Sequence, residues 1–279
     1  MENLQLPVGN LVFDAVAAGP ADGRLVLLLH GFPQTAWSWR LVMPLLVEAG
    51  CRVVAPNQRG YSPGARPLEV DSYRMPHLVD DVLGMLDTLG APRADVVGHD
   101  WGAAVAWQLA GLHPDRVRTL TAVSVPHPLA FIDALRTDDD QRSRSQYMKL
   151  FRVEGKAEEV LLRKGDGGLR TFFGGAEASA DVDHYVALMT EAGVLTACLN
   201  WYRAQHLTDI GGIGPTTVPT LYVWSDEDLA LGAVAAHATG DHVQARYRFE
   251  ILHGVSHWIP EQAPGELATW LLEHLHAHP

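Results

Sequence analysis

The stretch that most constrains the fold of this chain is VVGHDWGAAVA, residues 96–106. An apolar run typical of a buried strand meets a small-residue run typical of a helix, and the two are joined by GHDWG, residues 98–102. The glycines at both ends of this junction allow a tight turn and a close approach of strand and helix. The spacing is typical of a strained turn that presents a nucleophile at the end of a strand, and the central residue here is Asp100.

The rest of the sequence alternates strand and helix patterns. Short continuous apolar runs typical of buried strands are RLVLLL, CRVVAP, ADVVGH, RVRTLTAV, TLYVW and YRFEIL. Between them, residues 75–90 have apolar residues at helical spacing, and further helices are expected near Leu229–Ala238 and from about Pro264. Apolar strands alternating with helices predict an α/β protein, with a mostly parallel sheet and helices on both faces.

The pattern changes in the middle of the chain. From about residue 129 to residue 209 there are few β-branched runs and more charge and glycine, as in RTDDDQRSRSQ and RKGDGGLRTFFGGAE. This composition predicts short helices joined by loops. We therefore expect an α/β core, residues 1–128 and 210–279, with an inserted helical lid (cap), residues 129–209, called the lid segment below.

Charge and composition exclude several classes of protein. The formal net charge of −12 argues against a nucleic-acid partner, and no apolar stretch reaches the roughly 18 residues of a membrane span. The first ten residues lack a basic segment followed by an apolar run, so no signal peptide is expected. Two cysteines imply no disulfide framework, which favours a reducing, cytoplasmic location. We expect no cofactor and no metal site.

Asp100 and one histidine are the first candidates for catalysis. Asp100 could simply cap the following helix, but a cap needs neither of the flanking glycines. His257 lies between the last predicted strand and the last predicted helix, where a catalytic histidine would reach the end of the sheet. His253 is a nearby alternative, yet it lies at the strand end before Gly254. The loop position favours His257.

An acid is expected after the strand TLYVW. Asp226, Glu227 and Asp228 all follow that strand, and at least one of them is expected to do no more than cap the next helix. Whichever acid is chosen, the chain order is nucleophile, acid, histidine, which is the order of the α/β hydrolases. Three matches in this order are far more specific than any one of them.

The motifs HGFP (30–33), GHDWG (98–102), WSDED (224–228) and SHWIP (256–260) together resemble those of the epoxide hydrolases with the α/β-hydrolase fold, over nearly the whole chain. The resemblance implies that the acid is Asp228, four residues after Trp224. The segments QYMKLF and LNWYR are similar to those that carry the paired lid tyrosines of that family, which implies roles for Tyr147 and Tyr202.

The chemistry of these residue types suits an epoxide. An aspartate is ionised at neutral pH and can attack carbon without a base, which gives a covalent ester. The leaving alkoxide needs a proton, and tyrosine, with a pKa near 10, can supply it. His257, oriented by Asp228, would then activate water for hydrolysis of the ester to a vicinal diol.

Backbone N–H groups of Phe32 and Trp101 are expected to form the oxyanion hole, with Phe32-Pro33 in a tight turn that could be cis. We also expect Asp100 to have a strained backbone. His30 is expected to be structural. A small apolar epoxide and water are the expected partners, and the predicted substrate contacts are Phe32, Trp101, Phe151, Leu229 and Trp258.

Two other functions fit part of the sequence. A haloalkane dehalogenase would share the fold and the aspartate nucleophile, and Trp101 could then bind the halide. A halide leaves without a proton, however, so the tyrosine pair would be unnecessary, and many dehalogenases have Asn where Phe32 follows HG. A non-catalytic ligand-binding protein on the same scaffold would be expected to have lost part of the triad, and no part is missing here.

Overall fold

The strands form one eight-stranded sheet in the computed structural model, which describes residues 1–163, 166–173 and 180–279. The spatial order is β1-β2-β4-β3-β5-β6-β7-β8, and all neighbours from β4 to β8 are parallel. The strands are β1 (Glu2–Val8), β2 (Leu11–Ala18), β3 (Arg24–Leu29), β4 (Cys51–Pro56), β5 (Ala94–His99), β6 (Val117–Val123), β7 (Thr220–Ser225) and β8 (Tyr247–Leu252). The predicted α/β class with a mostly parallel sheet is confirmed.

The antiparallel pairs of β1 with β2 and of β2 with β4 extend one edge of the sheet and were not anticipated. In contrast, β5 lies inside the sheet, and all six of its residues are buried. A strand with both faces covered must be apolar at nearly every position, which is why ADVVGH could be identified from the sequence. Its buried Asp95 and His99 are the exceptions, and the Asp95 carboxylate accepts hydrogen bonds from Arg24, Arg118 and Thr119.

Helices cover both faces of the sheet and pack there in two apolar clusters. The helices of the core are α1 (Met43–Glu48), α2 (Met75–Thr88), α3 (Trp101–Leu112), α12 (Ala233–Ala238), α13 (Ile259–Gln262) and α14 (Pro264–Ala277). Short 3-10 helices lie at Ala36–Trp39, Pro63–Ala65, Val70–Tyr73, Pro114–Arg116 and Thr239–His242. The cluster on the α3 face contains Trp107 and Leu109, and the cluster on the other face contains Leu46 and Leu271.

The segment between β6 and β7 contains helices and, in its described part, no strand. Its helices are α4 (Pro128–Thr137), α5 (Asp139–Arg144), α6 (Gln146–Phe151), α7 (Lys156–Leu161), α8 (Gly167–Phe172), α9 (Ala180–Met189), α10 (Val194–Arg203) and α11 (Leu207–Ile210). Residues 164–165 and 174–179 of the lid segment lie outside the described residues. The division into core and lid stays a prediction, to which this succession of short helices corresponds.

The helix expected at Leu229–Ala238 begins later, at Ala233. The preceding residues form a turn, because the Asp228 carboxylate accepts the backbone N–H groups of Ala230 and Leu231. Gly232 then continues in an extended conformation. Side-chain capping has therefore replaced the first helical turn.

Candidate active site

Asp100 lies at the junction of β5 and α3 in a strained conformation, with φ 51° and ψ −123°. Few residues other than glycine adopt a positive φ, so the surrounding backbone must hold this one in place. A Cβ atom on Gly98 would lie 2.2 Å from the carbonyl oxygen of Gly102, and one on Gly102 would lie 2.1 Å from that of Leu29. Both glycines are thus required by close backbone contacts, as the sequence spacing predicted.

Two backbone N–H groups bind the Asp100 carboxylate. The Phe32 N–H donates to Oδ1 at 2.8 Å, and the Trp101 N–H donates as well. The Phe32-Pro33 peptide is cis, and the Gln34 N–H closes the turn on the Gly31 carbonyl. The HGFP loop and the start of α3 therefore supply the pair of donors that an oxyanion hole needs.

His257 lies between two carboxylates. Its Nδ1 is 2.7 Å from Asp228 Oδ2, and its Nε2 is 3.4 Å from Asp100 Oδ2. All three residues are buried. The main chain at His257 is also fixed, because its backbone oxygen accepts hydrogen bonds from His99 Nε2 and Ser124 Oγ.

The environment of the site moves the pKa values of His257 and Asp100 in opposite directions. Burial alone would lower the pKa of His257, but the carboxylates of Asp228 and Asp100 outweigh it and raise that pKa to about 10. Burial would raise the pKa of Asp100, but the hydrogen bond and charge of His257 and the Trp101 N–H lower it. The resting site is therefore an imidazolium flanked by carboxylates, and strongly shifted groups in a cleft are typical of functional sites.

The structure separates the acids that follow β7. Asp228 is buried and points at His257, whereas Asp226 accepts hydrogen bonds from His253 and from the Gly254 N–H at the surface. Glu227 is exposed. Asp226, one of the acids that residue patterns left open, is thus paired with His253, the alternative to His257 that the loop position disfavoured.

Tyr147 of α6 and Tyr202 of α10 lie over the same site. Their rings are 6.2 Å apart between centroids, and their hydroxyl groups are hydrogen-bonded to each other. Burial is the main cause, and the Asp100 carboxylate a further one, of pKa values well above the usual tyrosine value for both groups. Both phenols therefore carry their protons throughout the neutral range.

These side chains share a cavity of about 90 Å³. Its wall is mostly apolar and consists of Met75, Asp100, Trp101, Ala104, Gln108, Val125, Pro126, Pro128, Phe131, Tyr147, Met148, Tyr202 and Leu231. Several of these were missed at the level of sequence. Val125 and Pro126 follow the carboxyl end of β6, where ligands bind in open parallel sheets, and this position was the signal that could have found them.

The predicted substrate contacts have different placements. Trp101 lines the cavity, and the rings of Phe32 and Phe151 lie 5.5 and 5.0 Å from that of Tyr202. Trp258 packs on the His257 ring, with centroids 5.0 Å apart. The expectation for Leu229 is corrected, because its side chain is 73% exposed.

Leu231 takes the place in the wall that was expected of Leu229. The turn capped by Asp228 reverses the chain between the two leucines and points the second one inward.

His30 has a structural environment. Its Nδ1 lies 3.1 Å from the Gly31 carbonyl, its Nε2 accepts the Gln58 N–H, and burial lowers its pKa to about 4. The described residues contain no group of three or more His, Cys, Asp or Glu side chains placed to hold a metal ion. None of their helices is both long and apolar enough to cross a membrane.

Comparisons with known proteins identify the family of this chain. Residues 24–264 match the family model for the alpha/beta hydrolase fold. The chain is 35% identical to the AB hydrolase superfamily protein YfhM of Bacillus subtilis, over 95% of this chain and 94% of that protein. It is 32% identical to epoxide hydrolase A of Mycobacterium tuberculosis, over 93% and 92%. The crystal structure of epoxide hydrolase A from Mycobacterium thermoresistibile superposes with a TM-score of 0.86 at 30% identity, covering 100% of this chain and 99% of the other.

The close backbone contact at Gly102 predicts a large effect of a single methyl group. We expect Gly102→Ala to lower the free energy of unfolding by about 3 kcal/mol, because β3 and α3 must move apart. Gly265→Ala in α14 is the control, since a Cβ there meets no heavy atom within 4 Å and should stabilise slightly. Urea unfolding curves measure both. Equal stability of Gly102→Ala and the unaltered protein would contradict the strained-turn interpretation.

Proposed function

From the premise that this chain belongs to the alpha/beta hydrolase fold family, we propose that it is an epoxide hydrolase that opens small apolar epoxides to vicinal diols through an ester of Asp100. One observation carries the proposal. Two protonated phenols, those of the half-buried Tyr147 and the buried Tyr202, line the same cavity as an ionised Asp100. Attack on carbon by a carboxylate, with protonation of a leaving oxygen, needs this combination of groups.

In the first half-reaction, Asp100 Oδ2 attacks an epoxide carbon. The new C–O bond forms as the C–O bond of the ring breaks, and a proton from Tyr147 or Tyr202 passes to the ring oxygen. Oδ1 becomes the ester carbonyl oxygen while it still accepts the Phe32 N–H. General acid catalysis of this kind typically contributes about 10²–10⁴-fold to the rate.

Formation of the ester changes His257 from an acid to a base. The carboxylate of Asp100 is one of the two anions that raise the pKa of His257, and the ester removes its charge. The pKa of His257 then falls, and its proton can restore the tyrosine that gave one up. The result is an ester beside a neutral imidazole that is still oriented by Asp228.

In the second half-reaction, neutral His257 takes a proton from water, and the hydroxide attacks the Asp100 carbonyl carbon. The N–H groups of Phe32 and Trp101 stabilise the oxyanion on Oδ1. Collapse of this intermediate breaks the bond from carbon to Oδ2, and the alkoxide takes its proton from His257. The restored carboxyl group of Asp100 returns a proton to the imidazole, which closes the cycle.

The alternative of a haloalkane dehalogenase is less well supported by the cavity. The side chain of Phe32 packs against Phe151 and Tyr202, so this position offers a halide no polar group. The Trp101 side chain, which would bind the halide in a dehalogenase, is already hydrogen-bonded to Tyr202. The intact contacts of Asp100, His257 and Asp228 also argue against a protein that only binds a ligand.

A reducing, cytoplasmic location remains our proposal from two free cysteines, Cys51 and Cys198.

Replacement of His257 should separate the two half-reactions. We expect His257→Gln to form the Asp100 ester from styrene oxide but to hydrolyse it at least about 100-fold more slowly, because no base activates water. Intact-mass spectrometry should then show one added epoxide on the peptide that contains Asp100. His253→Gln is the matched control and should turn over normally. Full turnover by His257→Gln would refute the assignment of the base.

The tyrosine pair decides between epoxide and halide. In the His257→Gln background, Tyr147→Phe or Tyr202→Phe should slow ester formation from an epoxide, because one proton donor is lost while the packing is kept. The double variant should lose nearly all of it, at least about 100-fold. Ester formation from a bromoalkane, if it occurs, should change little. An undiminished rate with the epoxide in the double variant would show that the tyrosines only pack.

The two half-reactions should differ in their pH dependence. Ester formation needs ionised Asp100, whose pKa is lowered, and protonated tyrosines, whose pKa values are raised, so its rate should be flat between about pH 5 and 9. Hydrolysis needs neutral His257 and should rise with pH to a plateau. Rapid-mixing measurements of both phases over this range test the scheme. A hydrolysis rate that falls as the pH rises would contradict it.

A further inference from the structure

Gln141 of α5 is a fully buried polar side chain in the lid segment, and it binds the core. Its Oε1 accepts the Gly232 N–H at 2.8 Å, and its Nε2 donates to the Ala230 carbonyl at 2.8 Å. A third hydrogen bond joins Nε2 to Ser145 Oγ within the lid segment. Two of the three bonds therefore hold the turn of residues 228–232, which we call the acid turn.

Arg144 holds the beginning of the same turn. Its guanidinium donates to the backbone carbonyl of Asp228, and its Nε is paired with Asp140 at 2.7 Å. Gln141 and Arg144 are one helical turn apart on α5, so a single short helix binds both ends of the acid turn. The main chain of this turn thus depends on the lid segment as well as on the end of β7.

The acid turn in turn fixes the Asp228 carboxylate. Oδ1 accepts the N–H groups of Ala230 and Leu231, which leaves Oδ2 directed at His257 Nδ1 at 2.7 Å. A displacement of the backbone at Ala230 would move these donors and rotate the carboxylate away from the imidazole. The nucleophile of the first half-reaction does not depend on this turn, since Asp100 is held by the junction of β5 and α3. The turn contributes only the Leu231 side chain to the cavity wall described above.

We propose that Gln141 and Arg144 are positioning residues for the hydrolysis of the ester: they hold the acid turn so that Asp228 stays aligned with His257. This inference rests on the proposed function. Ring opening uses Asp100 and the two tyrosines, which belong to other helices and strands. It should therefore not need the side chains of Gln141 and Arg144. The placement of the lid segment on the core then affects both half-reactions. It sets the positions of the two tyrosines for the first and of the Asp228 carboxylate for the second.

Three titratable groups face His257, and they determine what a displaced acid would change. They are Asp100 and Asp228, which raise its pKa, and His99, which is buried and neutral with a pKa lowered to about 4. Once Asp100 is an ester, Asp228 is the remaining anion among them. Displacement of Asp228 should therefore lower the pKa of His257 in the ester and move the midpoint of the hydrolysis profile to lower pH.

The test compares Gln141→Met with Gln146→Met by single-turnover kinetics on styrene oxide. Gln141→Met keeps the side-chain length but removes the hydrogen bonds, whereas Gln146 is an exposed lid amide that donates to the Arg142 carbonyl and does not contact the acid turn. For Gln141→Met we expect ester formation within about twofold of the unaltered protein. We expect hydrolysis about tenfold slower, because the acid turn loses its two hydrogen bonds to this side chain. The ester should accumulate, and the hydrolysis midpoint should lie at lower pH. Gln146→Met should change neither step.

Arg144→Met is the second variant and should show the same pattern if Gln141→Met fails to fold. The inference would be overturned if both steps slowed equally, or if neither the rate of hydrolysis nor its pH midpoint changed. Gln141 and Arg144 would then contribute only to packing. If the unaltered protein forms the diol, such a result would count against the inference alone and not against the proposed function. If the unaltered protein forms no ester and no diol, the proposed function fails, and this inference fails with it.

Discussion

The buried Asp100 carboxylate is the constraint on which the rest of the site depends. A buried anion is costly unless it is hydrogen-bonded and paired, and here Oδ1 accepts the Phe32 N–H while Oδ2 lies 3.4 Å from Nε2 of the His257 imidazolium. The positive φ of Asp100 places the side chain between these partners. The Phe32 N–H of the HGFP loop and the two flanking glycines can all be understood as conditions for that one placement.

The core and the lid segment contribute opposite kinds of electrostatics. The core supplies a row of three side chains, Asp100, His257 and Asp228, in which the two carboxylates favour the charged form of His257 and His257 favours the ionised form of Asp100. The lid segment supplies phenols in an apolar wall, where burial favours the neutral form. An ionised nucleophile and a protonated donor can coexist across a small cavity because their environments move their pKa values in opposite directions.

The lid segment also contacts the core through polar bonds placed close to catalytic loops. Gln141 and Arg144 bind the acid turn, and Tyr185 of α9 donates to Glu261, which also binds Gln34 and Arg40. Gln34 follows the HGFP loop, and Glu261 lies four residues after His257 in the chain. Buried or half-buried polar bonds of this kind fix the orientation of the helices in the lid segment more narrowly than apolar packing does, because hydrogen bonds are directional.

The sequence by itself determined the parallel sheet, the strained turn at Asp100, and the chain order of nucleophile, acid and histidine, because strand periodicity and turn chemistry are local properties of the chain. It did not determine, from residue types alone, which of the acids at 226–228 serves the histidine, and the choice of Asp228 rested on family resemblance. Only the tertiary structure decided that Leu231 and not Leu229 lines the cavity, that β1 and β2 add an antiparallel edge, and that Gln141 binds a turn 89 residues away. Such pairings depend on which distant segments meet when the core is buried, and a pattern along the chain does not record them.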